Sequence, residues 1–304
     1  MTPETREAVT RCPACAGSSK PLRIAVVTDR SYVVHRCRSC ALAFTSPRPT
    51  ADELATFYGS EYFRKSEDGG TQFGYADYEG ESWAGVNARR TWEELPGWVP
   101  EVALWKAGRL LDVGSATGEF PASAARDGWD AVACEIGTEA RAAAAAKGLS
   151  TVSTIDEATG SFHLITMFHV LEHVIDPVAT LQAARSLIEP NGRLVIELPN
   201  WNSAGRVVRR DRWAQLRPPE HINFFTAASL RSAAVAAGWV TVRDATIYPY
   251  AASTARAAVQ RRAPREFLTG GVQVALGKAG LGGYLRLVAA PDPTLEGTAP
   301  LTET

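Results

Sequence analysis

Residues 110–120 read LLDVGSATGEF. A short apolar run, Arg109-Leu110-Leu111, ends in an acid, Asp112, then in Gly114 and Gly118, and helix-forming sequence follows at once. A buried strand that stops in a glycine turn and feeds a helix forms a cradle for a nucleotide-like cofactor. The glycines let the backbone approach a ligand closely, and the first helical turn offers N–H groups that lack intrahelical partners. A second apolar run, residues 129–134 (WDAVAC), ends in Glu135, 17 residues after Gly118. Folds of this kind place a ribose-binding carboxylate at about that point.

From Asp112 to Gly118 the spacing is D-x-G-x-A-x-G, which differs from the G-x-G-x-x-G of NAD sites. It resembles motif I of the class I S-adenosylmethionine (SAM) dependent methyltransferases, with Ala116 where that family most often has glycine. Residues 161–177 (SFHLITMFHVLEHVIDP) resemble the family's fourth strand and the helix after it. Residues 192–200 (GRLVIELPN) resemble its fifth strand, preceded by a Pro190-Asn191-Gly192 turn. The resemblance runs from about Tyr58 to Ala290. It implies an α/β fold: a doubly wound, seven-stranded, mostly parallel Rossmann-like sheet of order 3-2-1-4-5-7-6, one strand antiparallel. It also implies that Asp112, Gly114, Ala116 and Gly118 cradle SAM and that Glu135 accepts its ribose hydroxyls. Ile136 then lies against the adenine, and Ile155, between Thr154 and Asp156, stands near the adenine amino edge. Phe168 and His169 face the methionine moiety and the reacting methyl group. His163 stands where the family usually has Asp, and reads as structural.

The periodicity agrees with alternating elements. Strands are expected near 109–113, 130–135, 150–154, 162–168, 192–198, 239–248 and 284–290. Helices are expected near 87–98, 119–127, 138–147, 177–188 and 227–237, with a basic, helix-prone insert over 251–282. Such alternation means a parallel sheet covered on both faces. The segment ADELATFYGSEYF begins an amphipathic helix, with Thr50 and Glu53 as a capping box. The polar, aromatic stretch 64–82 reads as a lid loop in which Tyr75 and Tyr78 would meet SAM.

Two C-x-x-C pairs, Cys12/Cys15 and Cys37/Cys40, are separated by 21 residues that include a valine-rich, hairpin-like run. Four thiolates at this spacing suit a tetrahedral structural zinc, so the segment reads as a zinc ribbon with no open coordination position for catalysis. The expected organisation is a disordered N-terminus (1–11), the ribbon (12–45), a helical and aromatic lid segment (46–106), the methyltransferase domain (107–290) and a disordered tail (291–304). The fifth cysteine, Cys134, reads as a small buried apolar residue.

The chain has 304 residues, 45% hydrophobic and 21% charged, with a net charge of -1. That balance gives no general attraction to nucleic acid or to an anionic membrane. No apolar run is long enough to span a bilayer, and MTPETREAVTR lacks a signal-peptide core, so a cytoplasmic location is expected.

Methyl transfer to a hydroxyl needs alignment, exclusion of water and a base for the departing proton. Histidine suits that task near neutral pH. The candidates are His169, His173 and His221, the last in a proline-containing loop after the fifth strand. His169-x-x-Glu172-His173 also spells an inverted zinc-protease motif. A strand end followed by a helix start is the reading preferred here. In relatives of the ubiquinone O-methyltransferase type an E-x-x-E-H version of this stretch holds a divalent metal, and His169 replaces its first Glu. Five arginines between residues 206 and 217 suit an anionic acceptor, nucleotide-linked or carrier-bound, or a solvated basic face. The reading is methylation of a small molecule, a sugar or secondary-metabolite intermediate, at oxygen. The alternatives are C-methylation of a nucleotide-linked sugar and, further off, RNA methylation with the ribbon as docking module. The RNA reading is disfavoured by the weakly basic ribbon and by the missing N-P-P-Y/F motif after the fourth strand.

Overall fold

The computed structural model describes residues 8–27, 31–50, 53–54, 83–105, 107–249 and 264–295. Tyr75, Tyr78 and the rest of the expected lid loop lie outside the described residues.

The main sheet is built on β4 (Arg109–Val113), β5 (Asp130–Cys134), β6 (Ser150–Val152), β7 (Phe162–Phe168), β8 (Ile188–Pro199), β10 (Trp239–Ile247) and β11 (Tyr284–Pro291). Its order is β6-β5-β4-β7-β8-β11-β10, which is the expected 3-2-1-4-5-7-6. β4 through β8 run parallel, and β11 is antiparallel to both β8 and β10. The middle strands are apolar on both faces, as strands covered on two sides must be. On one face Leu111, Ile165 and Ile196 pack against Leu181 of α4 (Pro177–Leu187) and Leu230 of α6 (Ala227–Ala236). On the other, Leu110, Leu164 and Val195 share a core with Trp92 of α1 (Trp83–Glu94), Phe120 of α2 (Glu119–Arg126) and Ala144 of α3 (Thr138–Ala146). Among the described residues, no helix is long and apolar enough to cross a membrane.

The structure moves several expected boundaries. α1 ends at Glu94 and tightens into a 3-10 turn over Leu95–Gly97, because Pro96 cannot continue an α-helix. β8 begins at Ile188 and absorbs the expected Pro-Asn-Gly turn as a bulge between Phe162↔Ile188 and Leu164↔Arg193. Residues 169–175 form turns, and no helix starts there. The helix waits for Pro177 at its first position, with Asp176 capping it by accepting from the N–H groups of Val178 (3.0 Å) and Ala179 (2.9 Å). Residues 8–11, expected within a disordered terminus, are held: Val9 N–H donates to Ser46 Oγ at 3.0 Å, and Arg11 bridges to Ser18. Residues 291–295 are likewise ordered, with Pro291 still paired to Trp239.

Of the four cysteines, Cys37 ends a strand of a second sheet, and Cys12, Cys15 and Cys40 lie in the loops and turns beside it. β1 (Ser19–Val27), β2 (Ser31–Cys37) and β3 (Ala43–Ser46) form an antiparallel meander, and β9 (Asn223–Phe224) adds a fourth strand from the far side of the chain. Leu42 and Phe44 join the same core as the main sheet. A smaller cluster of Val34, Ala43, Trp201, Trp213, Leu216 and Phe224 fills the seam. The capping box at Thr50 and Glu53 is present, with reciprocal bonds of 3.0 and 3.1 Å.

Arg48 fastens this sheet to the turn after β7. Its buried guanidinium donates to the carbonyls of Ile175 and Val174 and to Asn223 Oδ1. The Asn223 amide donates to the carbonyls of Leu171 (2.9 Å) and Val174 (2.7 Å). The N–H groups of Ile222 and Asn223 both donate to the carbonyl of Glu172. The turn holding residues 171–175 is thus held by side chains and backbone remote in sequence.

Candidate active site

In open α/β sheets the ligand site lies beyond the carboxyl ends of the strands, where the strand order reverses. Here that point is between β4 and β7. Asp112, near the end of β4, is buried and accepts a 2.6 Å hydrogen bond from Thr166 Oγ1. Burial pushes its carboxyl up to about 7; the Thr166 bond opposes the rise and nearby Glu135 adds to it. Gly114 has φ +74°, and a Cβ there would sit 2.6 Å from Val170 Cγ2. Gly118 (φ +82°) precedes α2, and a Cβ there would sit 2.8 Å from both Ala144 and Leu149. Both glycines are therefore required by close packing as well as by backbone angle. Ala116 lies between them, also in the left-handed region (φ +47°).

Glu135, just past β5, closes this turn. Its Oε2 accepts from Ala116 N–H at 2.9 Å and its Oε1 from Gly137 N–H at 2.8 Å. Burial raises its pKa, while those two N–H groups and Arg141 oppose the rise. Two donors occupy two of about four carboxylate acceptor sites, so capacity for two hydroxyls remains. Ile136 beside it is 60% exposed, an apolar surface open to a flat ring. Ile155 stands half-buried in a 3-10 turn after β6, and Phe168, at the end of β7, meets Phe120 edge-on at 5.0 Å. This crevice fits the adenosyl part of SAM: a turn with two glycines, a carboxylate with spare acceptors and an exposed apolar side chain.

The histidines are in very different settings. His169 has φ +58°, uncommon for a side chain of this size. Its N–H donates to the carbonyl of Glu197 at 2.8 Å. The side chain is 47% exposed, and its Nδ1 lies 3.1 Å from Glu172 Oε1, whereas Glu172 is 2% exposed. The ring meets Tyr284 edge-on at 5.3 Å. Desolvation opposes charge on His169, but the hydrogen bond and charge of Glu172, with Glu197 behind it, raise its pKa overall. Burial alone would raise Glu172, yet the His169 bond and the charges of His173, His169 and His221 hold it down at about 2.

His173 is largely covered, and its Nδ1 donates to the carbonyl of Glu220 at 2.8 Å. His221 is 2% exposed, and its Nδ1 donates to the carbonyl of Gln215 at 2.8 Å. Burial, then the neighbouring His173, hold His221 well below the usual imidazole range. The two rings meet edge-on at 4.7 Å. Glu172, His173 and His221 each bring a ligand atom within 4.8 Å of the others, a spacing that suits either shared protons or a cation. His169, by contrast, is half-open at the strand end. His163 accepts from Arg109 N–H at 3.1 Å, a role that ties β7 to β4.

Three neighbours of this site were not singled out from sequence. Glu197 on β8 forms a buried ion pair with Arg286 of β11, which donates to it through Nε at 2.7 Å and through Nη2. Tyr284 opens β11 beside His169, and burial raises its pKa. An acid inside an otherwise apolar strand was the available signal for Glu197; Tyr284 had none.

A sheet of this order, with a glycine cradle on its first strand and an acid closing the second, defines a class I SAM-dependent methyltransferase. The chain belongs to the methyltransferase domain family, whose model matches residues 87–243. A ubiquinone biosynthesis O-methyltransferase of Xanthomonas oryzae pv. oryzae is 33% identical over 124 residues, covering 36% of this chain and 52% of that protein. The one from Pectobacterium atrosepticum is 31% identical over 106 residues, covering 31% of this chain and 44% of that protein. The chain spans about half the length of the curated relatives it matches. In fold, it is similar to Burkholderia thailandensis 1,6-didemethyltoxoflavin-N1-methyltransferase, solved with 1,6-didemethyltoxoflavin and S-adenosylhomocysteine. The TM-score is 0.50 at 17% identity, covering 88% of this chain and 99% of that one.

The raised Asp112 gives a pH prediction. A carboxyl held at about 7 when folded, against 3.8 unperturbed, contributes its full stability below pH 3.8 and loses it as pH rises through about 7. Asp112→Asn keeps an acceptor for Thr166 without the charge. Its stability relative to wild type should therefore improve between pH 4 and pH 8, by roughly 1–3 kcal/mol in urea titrations. A constant difference across that range would contradict the assignment.

Proposed function

We propose that this methyltransferase acts on a hydroxyl group of a small-molecule acceptor, with His169 as the general base. The observation that carries this reading is the half-exposed imidazole at the end of β7, one residue beyond Phe168 and beside the glycine turn. The curated relatives, named as O-methyltransferases, agree with it. Asp112, Gly114, Ala116 and Gly118 would hold the methionine side of SAM, Glu135 its ribose hydroxyls, and Ile136 and Ile155 its adenine. Bound SAM supplies a methyl group already activated on a sulfonium. His169 Nε2 takes the hydroxyl proton as the acceptor oxygen bonds to the methyl carbon; the carbon–sulfur bond breaks, its electron pair stays on the neutral thioether, and the imidazolium returns the proton to solvent. Phe168 and Tyr284 wall the site against water, which favours alignment over hydrolysis.

We also assign a structural zinc to Cys12, Cys15, Cys37 and Cys40. All four sulfurs lie within 4.8 Å of one another. The Cys12–Cys40 and Cys15–Cys37 pairs are each 3.5 Å apart, against edges of about 3.8 Å for a tetrahedron with zinc–sulfur bonds near 2.3 Å. Backbone N–H groups of Ala14, Ser39 and Cys40 already point at the sulfurs of Cys12 and Cys37. Four thiolates close the coordination sphere, so the metal would stabilise the sheet and take no part in the reaction.

Three measurements test these assignments. Glu135→Ala should weaken SAM binding about tenfold or more in calorimetry, because each charge-assisted hydrogen bond to a ribose hydroxyl is worth about 1.5–3 kcal/mol; unchanged affinity would remove Glu135 from the site. Elemental analysis of reduced protein should find about one zinc per chain, lost in the Cys12→Ser/Cys15→Ser double variant, and metal-free wild-type protein would defeat the ribbon assignment. On the best acceptor from a screen of phenols and sugars with labelled SAM, His169→Ala should lower kcat about 10²-fold or more while SAM still binds. Near-normal turnover would point instead to a carbon acceptor or one already ionised.

A further inference from the structure

We infer that Glu172 is the positioning residue for His169: a buried carboxylate on a turn braced by the four-cysteine sheet, which fixes the imidazole with its proton on Nδ1 and its lone pair on Nε2. The inference rests on His169 being the base and goes beyond it, because it assigns the device that makes one of three histidines suitable.

The chemistry starts from the contact itself. A carboxylate only accepts, so the 3.1 Å approach of His169 Nδ1 to Glu172 Oε1 requires the proton on Nδ1. The neutral ring then has its lone pair on Nε2, the form a hydroxyl proton needs. His173 and His221 also carry Nδ1 protons, but each donates to a backbone carbonyl. A carbonyl sets the tautomer without adding a full negative charge. Of the three rings, His169 is the one that combines a direct carboxylate partner with an open face, 47% exposed against 2% for that partner.

The carboxylate is in turn held from behind. Its own backbone carbonyl receives the N–H groups of Ile222 and Asn223, at 2.8 and 3.1 Å. Asn223 pairs with Phe44 of β3, and Arg48 grips both Asn223 and the turn. The junction of the two sheets therefore fixes the backbone that carries Glu172, and the carboxylate itself is buried at 2% exposure against His169. Its second oxygen, Oε2, is buried without a hydrogen-bond partner among the described residues, a cost accepted where an anion is kept for its charge. The other charged or titratable groups facing His169 are Glu197 on β8, Tyr284 on β11 and Arg217 in the loop before β9. Those facing Glu172 are His173, His221 and Tyr284. Glu197 is neutralised by Arg286, which leaves Glu172 as the anion at the ring with no Arg or Lys ion pair of its own among the described residues.

The test uses the full-length, zinc-loaded protein with S-adenosylhomocysteine bound, and nitrogen-15 NMR of its imidazoles. In wild type, His169 should be the Nδ1–H tautomer at high pH. In Glu172→Gln, its pKa should fall by about one unit or more, since a neighbouring opposite charge shifts a group by about 1–3 units. Affinity for S-adenosylhomocysteine should stay within twofold, about the limit for a site whose contacts are intact. A wild-type Nε2–H tautomer, or an unshifted pKa in the variant, would overturn the inference. If Glu172→Gln does not fold, the wild-type tautomer decides alone. Adding Mn²⁺ should leave the His169 signals sharp; selective broadening would give Glu172 to a cation and overturn the pairing. Full turnover by His169→Ala would instead sink the base assignment while leaving this geometry standing.

Discussion

A buried guanidinium, that of Arg48, joins three backbone segments that are far apart in the chain. It is 6% exposed, and burial lowers its pKa to about 10, with nearby Asp176 opposing the drop, so it remains charged at neutral pH. Removing such a charge from water is costly unless its donors are matched. Here two carbonyls and an amide oxygen accept from its two terminal nitrogens, while Nε is buried without a partner among the described residues. The same contacts cap carbonyls of the turn after β7, which has neither helix nor ladder to satisfy them. That turn carries Glu172, and Glu172 carries the orientation of His169. The position of the proposed base thus depends on a contact made outside the catalytic sheet.

Two buried carboxyls, one near the end of β4 and one in the turn after β7, show how partners decide charge. Asp112 has a neutral hydroxyl as its hydrogen-bond partner and another acid nearby, and burial wins: its pKa rises to about 7. Glu172 is as deeply buried but is surrounded by three imidazoles, and the partners win: its pKa falls to about 2. Desolvation is the first influence on both and the final state is opposite. The cradle accommodates a group that need not be fully charged, whereas the histidine cluster is organised around one that is.

What could be read from sequence was what the chain states locally. The glycine turn, the acid after β5, the cysteine pairs and the capping box at Thr50 each lie within a short window. Strand order followed from the family resemblance, and the alternating apolar faces of β4, β7 and β8 agreed with it. All three histidines stood as candidates at that level, with His221 and His169 ahead of His173. Their separation comes from packing: His221 is buried within the loop that leads into β9, while a left-handed backbone brings His169 out of the strand. The Asn223–Arg48 junction, 175 residues apart in sequence, had no local signature at all. The helix expected near 177–188 begins at Pro177, where Asp176-Pro177 is a strong local start signal, and residues 169–175, read in part as a helix start, form turns instead.

The shared strand β9 also orders events in time. The meander β1–β3 is complete once Ser46 has been made, yet the strand that covers its open edge comes with Asn223 and Phe224. A ribosome adding about 5–20 residues per second leaves that edge uncovered for about 10 s or more. Over that interval β3 presents unsatisfied backbone groups, the kind of surface on which neighbouring nascent chains pair wrongly. The N-terminal module is therefore finished by one of the later segments to emerge, and its edge is most vulnerable while the polypeptide is still being synthesised.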